Sequence, residues 1–167
     1  MVKIEIMKKI LFILLLTIPY LGFGQNGLQK EYYENGQLQF EGNFKDGKLN
    51  GLGKTYYENG HLQSESNWKD DNRNGLWKKW YKNGQLEEEY NFKDDKRIGL
   101  AKNYWGNGKL SNEENWENGE LNGVAKWYYE NGQLATKANF KDSKLISAIC
   151  WDEKGNKEEC DDMFKED

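Results

Sequence analysis

The chain has almost no proline: Pro19 is the only one, so residues 25–167 contain none. Histidine is as scarce, with His61 alone, and Cys150 and Cys160 are the only cysteines. The apolar run from Ile10 to Ile18 is well short of the ~20 residues that a spanning helix needs. Nor is there a basic excess, with 24 Lys and Arg against 28 Asp and Glu and a net charge of −4. Charges of both signs are interspersed, which excludes the footprint of a nucleic-acid binder and offers nothing to anionic lipid surfaces. Aliphatic residues are sparse beyond the leader and aromatics plentiful, which argues against a thick two-layer core. No nucleophile–base set, metal-ligand spacing or phosphate loop is present, so the sequence calls for no enzyme and no cofactor.

What is there begins with a leader. From Met7 the chain reads MKKILFILLLTIPYLGFGQN, a basic start, an apolar stretch and small residues at Gly22 and Gly24, in the order of a secretory signal. Residues 1–24 are therefore expected to be cleaved near Gln25, leaving residues 25–167 secreted or in the periplasm or cell envelope. Glu5 is foreign to a basic n-region, so Met7 rivals Met1 as the start. No cysteine follows the apolar run, which argues against a lipid-anchored N-terminus. Removing the leader leaves 21 basic and 27 acidic residues and a net charge of −6.

The rest repeats. YYENGQL at 32–38 returns as YYENGHL at 56–62, WYKNGQL at 80–86, YWGNGKL at 104–110 and YYENGQL at 128–134, each copy 24 residues after the last. Five full units run 27–50, 51–74, 75–98, 99–122 and 123–146, and a degenerate sixth fills 147–167. A fixed period is the signature of an array whose units stack because none is stable alone. Asn-Gly between aromatic-rich runs predicts a two-residue type I′ hairpin turn, with both central residues at positive φ.

Such a turn at Asn35-Gly36 sets Tyr33 opposite Leu38, Lys30 opposite Glu41, Leu28 opposite Asn43 and Gly27 opposite Phe44. The same register pairs Lys54 with Glu65, Lys78 with Glu89 and Lys102 with Glu113, and it lays an aromatic over each strand glycine. In the fifth unit Lys126 faces Lys137, so that hairpin should be the loosest unless Glu130 or an acidic residue of the tail reaches it. The connections between hairpins read either as tight turns, at 46–47 in the first, or as loops of up to six residues. The expected fold is all-β: an elongated, single-layer antiparallel meander of hairpins.

This G-L-x-K-x-Y-Y-x-N-G-x-L-x-x-E-x-N-F-K-D rhythm resembles the MORN-repeat variant family, and in particular the YwqK-type antitoxin-like repeat proteins. The resemblance covers residues 26–146 fully and 147–160 weakly. It implies a single-layer meander with a binding role and brings no catalytic residues. An antitoxin acting on a cytosolic toxin stays inside the cell, whereas the leader points outward. A second resemblance, through hairpins bearing W-Y-Y, is to choline-binding repeats, whose aromatic cages are spaced differently.

Candidate sites are few. His61 stands where other units have Gln37, Gln85, Lys109 and Gln133, and reads as an exposed turn residue. The acidic pairs Asp70/Asp71 and Asp94/Asp95 do not fit a calcium loop. Strand alternation puts Tyr32, Tyr56, Trp80, Tyr104 and Tyr128 on one face and Tyr33, Tyr57, Tyr81, Trp105 and Tyr129 on the other. Part of such a ladder, with the off-template Trp77 and Trp127, is the candidate partner-binding surface. The partner expected is a protein, with a carbohydrate or envelope polymer as the alternative. Cys150 and Cys160 lie symmetrically about Gly155; a three-residue turn at Lys154-Gly155-Asn156 would set them opposite each other, within reach of a disulfide. The alternative is two unpaired thiols.

Overall fold

The computed structural model describes residues 26–160. The leader and residues 161–167 of the sixth unit lie outside the described residues. Among the described residues thirteen strands form one antiparallel sheet in chain order. The hairpins are β1 (Gly27–Tyr32) with β2 (Leu38–Lys45), β3 (Lys48–Tyr56) with β4 (Leu62–Lys69) and β5 (Asn72–Trp80) with β6 (Leu86–Lys93). They continue with β7 (Lys96–Tyr104) and β8 (Leu110–Glu117), then β10 (Gly123–Tyr128) and β11 (Leu134–Lys141). The short β9 (Glu120–Leu121) pairs with β8 just before β10, and the shortened sixth unit is β12 (Lys144–Trp151) with β13 (Lys157–Glu158). Among the described residues there is no helix and no second layer, as the aromatic-rich, aliphatic-poor composition predicts.

The turns differ from the sequence expectation in an instructive way. Gly36 N–H donates to the Tyr33 carbonyl at 2.9 Å, and Tyr33 N–H donates to the Gln37 carbonyl at 2.8 Å. Gly36 has φ 84°, while Asn35 is not in the left-handed region. This is a three-residue loop closed by a left-handed glycine, not a two-residue type I′ turn. Tyr32 rather than Tyr33 therefore faces Leu38, and the register slips again between Glu31 and Tyr32, leaving Gln39 unpaired. The two one-residue changes cancel. Beyond the bulge Lys30 faces Glu41, Leu28 faces Asn43 and Gly27 faces Phe44, in the predicted register.

The turns with two left-handed residues stand at the other end, between hairpins. Asp46-Gly47 has φ of 54° and 78°, Asp94-Asp95 has 49° and 61°, and Asn118-Gly119 has 53° and 90°. The connections are thus the tight alternative. Asp and Asn tolerate this region because their short polar side chains bond locally.

The strand glycines opposite aromatics pair as predicted, Gly51 with Trp68 and Gly75 with Phe92. Their role is different. Gly51 has φ 108°, which only glycine adopts without strain. Aromatic cover falls instead on Gly53, where a Cβ would lie 3.0 Å from Trp68 Nε1.

The Lys–Glu pairs extend further than one hairpin at a time. Lys54 lies between Glu41 and Glu65, Lys78 between Glu65 and Glu89, and Lys102 between Glu89 and Glu113. One alternating charge ladder thus crosses the sheet, closing to 3.4 Å at Lys30–Glu41 and 3.1 Å at Lys78–Glu89. Lys126 does face Lys137. Among the described residues its relief comes not from Glu130 but from Glu113 of the preceding hairpin, 2.7 Å away; the acidic residues after 160 lie outside the described residues.

The opposite face holds the core. Tyr90, Phe92 and Ala101 are buried, with Trp77 and Trp116 packed against them. Small residues let this face close up elsewhere: Ala125, Ala138 and Ser66 are 0%, 1% and 5% exposed.

Candidate functional site

The repeated aromatic pair divides its labour between the two positions. The second aromatic ties each unit to the next. Tyr33 Oη donates to the Tyr56 carbonyl at 2.6 Å, Tyr57 Oη to that of Trp80 at 2.8 Å and Tyr81 Oη to that of Tyr104 at 2.8 Å. Trp105 Nε1 donates to the Tyr128 carbonyl at 3.1 Å and Tyr129 Oη to that of Trp151 at 2.8 Å. The turn asparagine adds a second tie. Asn83 Oδ1 accepts from Gln85 N–H in its own turn, and its Nδ2 donates to the Gly106 carbonyl of the next unit at 3.0 Å. His61 is an exposed turn residue whose Nδ1 lies 3.1 Å from the Lys82 carbonyl.

The first aromatics share the face of the charge ladder. Tyr56 Oη donates to Glu41 at 2.7 Å, and Tyr128 Oη lies 3.4 Å from Glu113. Burial pushes the Tyr56 hydroxyl up to about 12, helped by its bond to Glu41. In return the Tyr56 bond, with Lys30, holds the Glu41 carboxyl below its ordinary value against a partial desolvation. Tyr32, on the outermost strand, is 59% exposed, whereas Trp80 and Tyr104 are half-buried. The same face carries an apolar stripe at one repeat position, with Leu28, Leu52, Leu100 and Val124 all exposed.

Trp77 and Trp127 lie on the other face, so they share no surface with the Tyr32 ladder. Trp77 stacks on Tyr90, centroids 5.2 Å apart and planes 10° apart, and Trp127 meets Phe140 edge-on at 6.3 Å. Cys150 and Cys160 are joined by a disulfide with Cα atoms 5.2 Å apart. The strand register, however, pairs Cys150 with Glu158 and Trp151 with Lys157. The loop is the same three-residue type as in the other units, centred earlier than symmetry about Gly155 suggests.

Sequence reasoning missed a cavity on the aromatic face. Arg73 and Arg97, the only arginines in the protein, stand one repeat apart at a position held by Leu49, Leu121 and Leu145 elsewhere. That pattern was the signal available. Arg73 lies 4.2 Å from the Phe92 ring centre, and Arg97 lies 4.2 Å from that of Tyr90 and 5.0 Å from that of Trp116. A cavity of about 530 Å³ opens beside them, and a second of about 410 Å³ lies among Trp105, Tyr128, Tyr129 and Glu153. Among the described residues no three His, Cys, Asp or Glu side chains gather as metal ligands.

A one-layer meander whose units are stitched by side chains to the next unit's backbone defines a binding-repeat array. The MORN repeat variant pattern matches residues 25–46, 49–70, 73–94, 97–118 and 121–142, and the chain belongs to this family. MORN repeats are non-enzymatic modules that generally bind proteins or membranes. No curated protein matches the sequence significantly.

Proposed function

We propose that this is a non-catalytic repeat protein, exported to the cell envelope or beyond, whose sheet binds another protein. An immunity-like role, in which the bound protein is neutralised outside the cytoplasm, is one form this takes. The observation that carries the reading is the uncovered apolar stripe: Leu28 is 53% exposed, Leu52 39%, Leu100 42% and Val124 37%. Regularly spaced apolar side chains on an uncovered sheet face favour a partner that covers them. Contacts repeated along an array add up while each stays modest. Export is supported by the basic–apolar–small order of residues 7–24.

The test is crosslinking in cells of the tagged full-length protein followed by mass spectrometry. Leu52→Asn and Leu100→Asn alter the stripe, and Trp77→Ala and Trp127→Ala probe the other face. Because Trp77 stacks on Tyr90, its truncation is read beside a thermal melt. A dominant protein crosslink that the stripe variants lose supports the reading; recovery of glycan alone overturns it. Intact-mass measurement of the native protein tests export, with a mature start near Gln25 expected and a retained leader counting against it.

A further inference from the structure

Arg73 and Arg97 occupy equivalent positions of the repeat and differ in what stands opposite them. Arg73 Nε donates to Asp95 Oδ1 at 2.9 Å while the guanidinium lies over Phe92. The residue one repeat after Asp95, which would answer Arg97 in the same way, is Gly119. The backbone bond between the turns is kept, Asp95 N–H to the Arg73 carbonyl at 3.1 Å and Gly119 N–H to the Arg97 carbonyl at 2.9 Å. Only the carboxylate is gone. No carboxylate forms an ion pair with Arg97 among the described residues, and Arg97 borders the open cavity of about 530 Å³.

We propose that this cavity binds a carboxylate of a protein partner, an Asp or Glu side chain or a free C-terminus, in the place that Asp95 takes beside Arg73. The proposal rests on the protein-binding reading above. A guanidinium held against Tyr90 and Trp116 is oriented in advance, and its fork matches a planar carboxylate. The charged neighbours in the wall are Arg73, already paired with Asp95, then Lys96 and Glu120. Lys96 offsets Glu120, so the charge left uncompensated is that of Arg97. A single carboxylate fills a small part of the cavity; the remaining volume, walled by Phe92, Trp116 and the Asn118-Gly119 turn, suits the residues that flank it in a peptide.

Two variants borrow their residues from the repeat itself. Arg97→Leu installs the residue of Leu49 and Leu121. Gly119→Asp supplies the missing carboxylate from within the protein, at a position where Asp71 and Asp95 adopt φ of 69° and 61°. A Cβ there meets only the Lys96 side chain, at 3.6 Å, an ordinary contact, and the backbone has to relax from φ 90° toward the values of those aspartates.

Fluorescence anisotropy with labelled hexaglutamate and hexaglutamine peptides tests the site, with free glutamate as competitor. The protein's own net charge of −4 disfavours non-specific attraction of the acidic peptide, so a preference for it reports a local site. The full-length protein is expected to favour hexaglutamate by about tenfold, and both variants to lose that preference. A preference that is absent in the wild type, or that survives either substitution, overturns the proposal. So does displacement of the peptide by an equal concentration of free glutamate, which points to a small-molecule carboxylate site. The apolar stripe lies on the opposite face of the sheet from Arg97, so the two readings fail separately: a hexaglutamate preference absent from the wild type fells the Arg97 site alone, and crosslinking that recovers no protein partner fells the protein-binding reading whatever the peptide does.

Discussion

Tyr81 Oη donates across the sheet to the carbonyl of Tyr104, 2.8 Å away and 23 residues further along the sequence. Removing one hydroxyl should therefore loosen two units at once. Tyr81→Phe is expected to lower stability by about 1 kcal/mol, the net worth of a typical hydrogen bond. Urea unfolding measures it, and an unchanged midpoint would mean that the tie contributes nothing.

The two turn classes should answer differently to substitution. Asn83 acts through its side chain, bonding Gln85 N–H and the Gly106 carbonyl. Asn83→Ala should cost about 1–2 kcal/mol, and Asn83→Asp, which keeps the acceptor, about half as much. Asp94 acts also through its left-handed backbone, φ 49°. Asp94→Val should cost more than Asn83→Ala, because a β-branched residue is strained there. Thermal melts of the three proteins rank them; the reverse order would refute this division.

Glu113 serves two lysines, with Lys126 held at 2.7 Å and Lys102 opposite on the other side. Glu113→Gln should destabilise the fifth hairpin, where Lys126 would be left facing Lys137. Lys137→Glu should do the opposite, continuing the alternation by one strand and gaining about 0.2–1 kcal/mol. Both effects should shrink in high salt. A Lys137→Glu protein that melts no higher at low salt would count against the ladder.

Alkali should unfold the protein through its tyrosines. Burial raises Tyr56 and Tyr90 from 10.0 to about 12. A hydroxyl held protonated in the fold but released at 10.0 when unfolded favours the fold fully below pH 10.0, and that contribution disappears as pH rises through about 12. Glu41, held below its ordinary 4.5 chiefly by the Tyr56 bond, works the other way: its contribution is present above pH 4.5 and lost as pH falls. Urea midpoints across pH should therefore decline at both ends, and Tyr56→Phe should flatten both. An alkaline decline undiminished in Tyr56→Phe would place its origin elsewhere.

Reduction of Cys150–Cys160 should act locally. The bond spans 10 residues of sequence and closes the sixth unit, and in an array each unit depends mainly on its neighbours. Hydrogen exchange is expected to rise over 144–158 and to stay unchanged before 100. Uniform loss of protection along the molecule would show a more global cooperativity than the stitched-unit picture allows.

The outer register was legible because it rests on pairs that recur: Lys54 with Glu65 and Lys78 with Glu89 leave little choice of alignment. The turns were not. Asn-Gly forms a tight turn with both residues left-handed at Asn118-Gly119 but a three-residue loop at Asn35-Gly36, and the dipeptide is the same in both. In the loop the Asn35 side chain also reaches the Glu58 carbonyl of the next unit at 3.3 Å, a contact that no single hairpin reveals. The pairing of Arg73 with Asp95, and its lack at Arg97, hides for the same reason. The partners lie 22 residues apart, and the contact emerges only when one unit is laid on the next.

Every aromatic tie points the same way, from one unit into the backbone of the unit after it. In the sixth unit the tying position is held by Asp152, which has no aromatic donor. Its carboxylate turns back on its own loop, accepting from Lys154 N–H, Asn156 N–H and Asn156 Nδ2. The array thus has a grammar, with clauses that can be duplicated in mid-sentence and a full stop at Asp152. A seventh hairpin laid on β13 would meet no stitching donor, whereas a copy inserted between the second and third units would find its donor and its acceptor already in place.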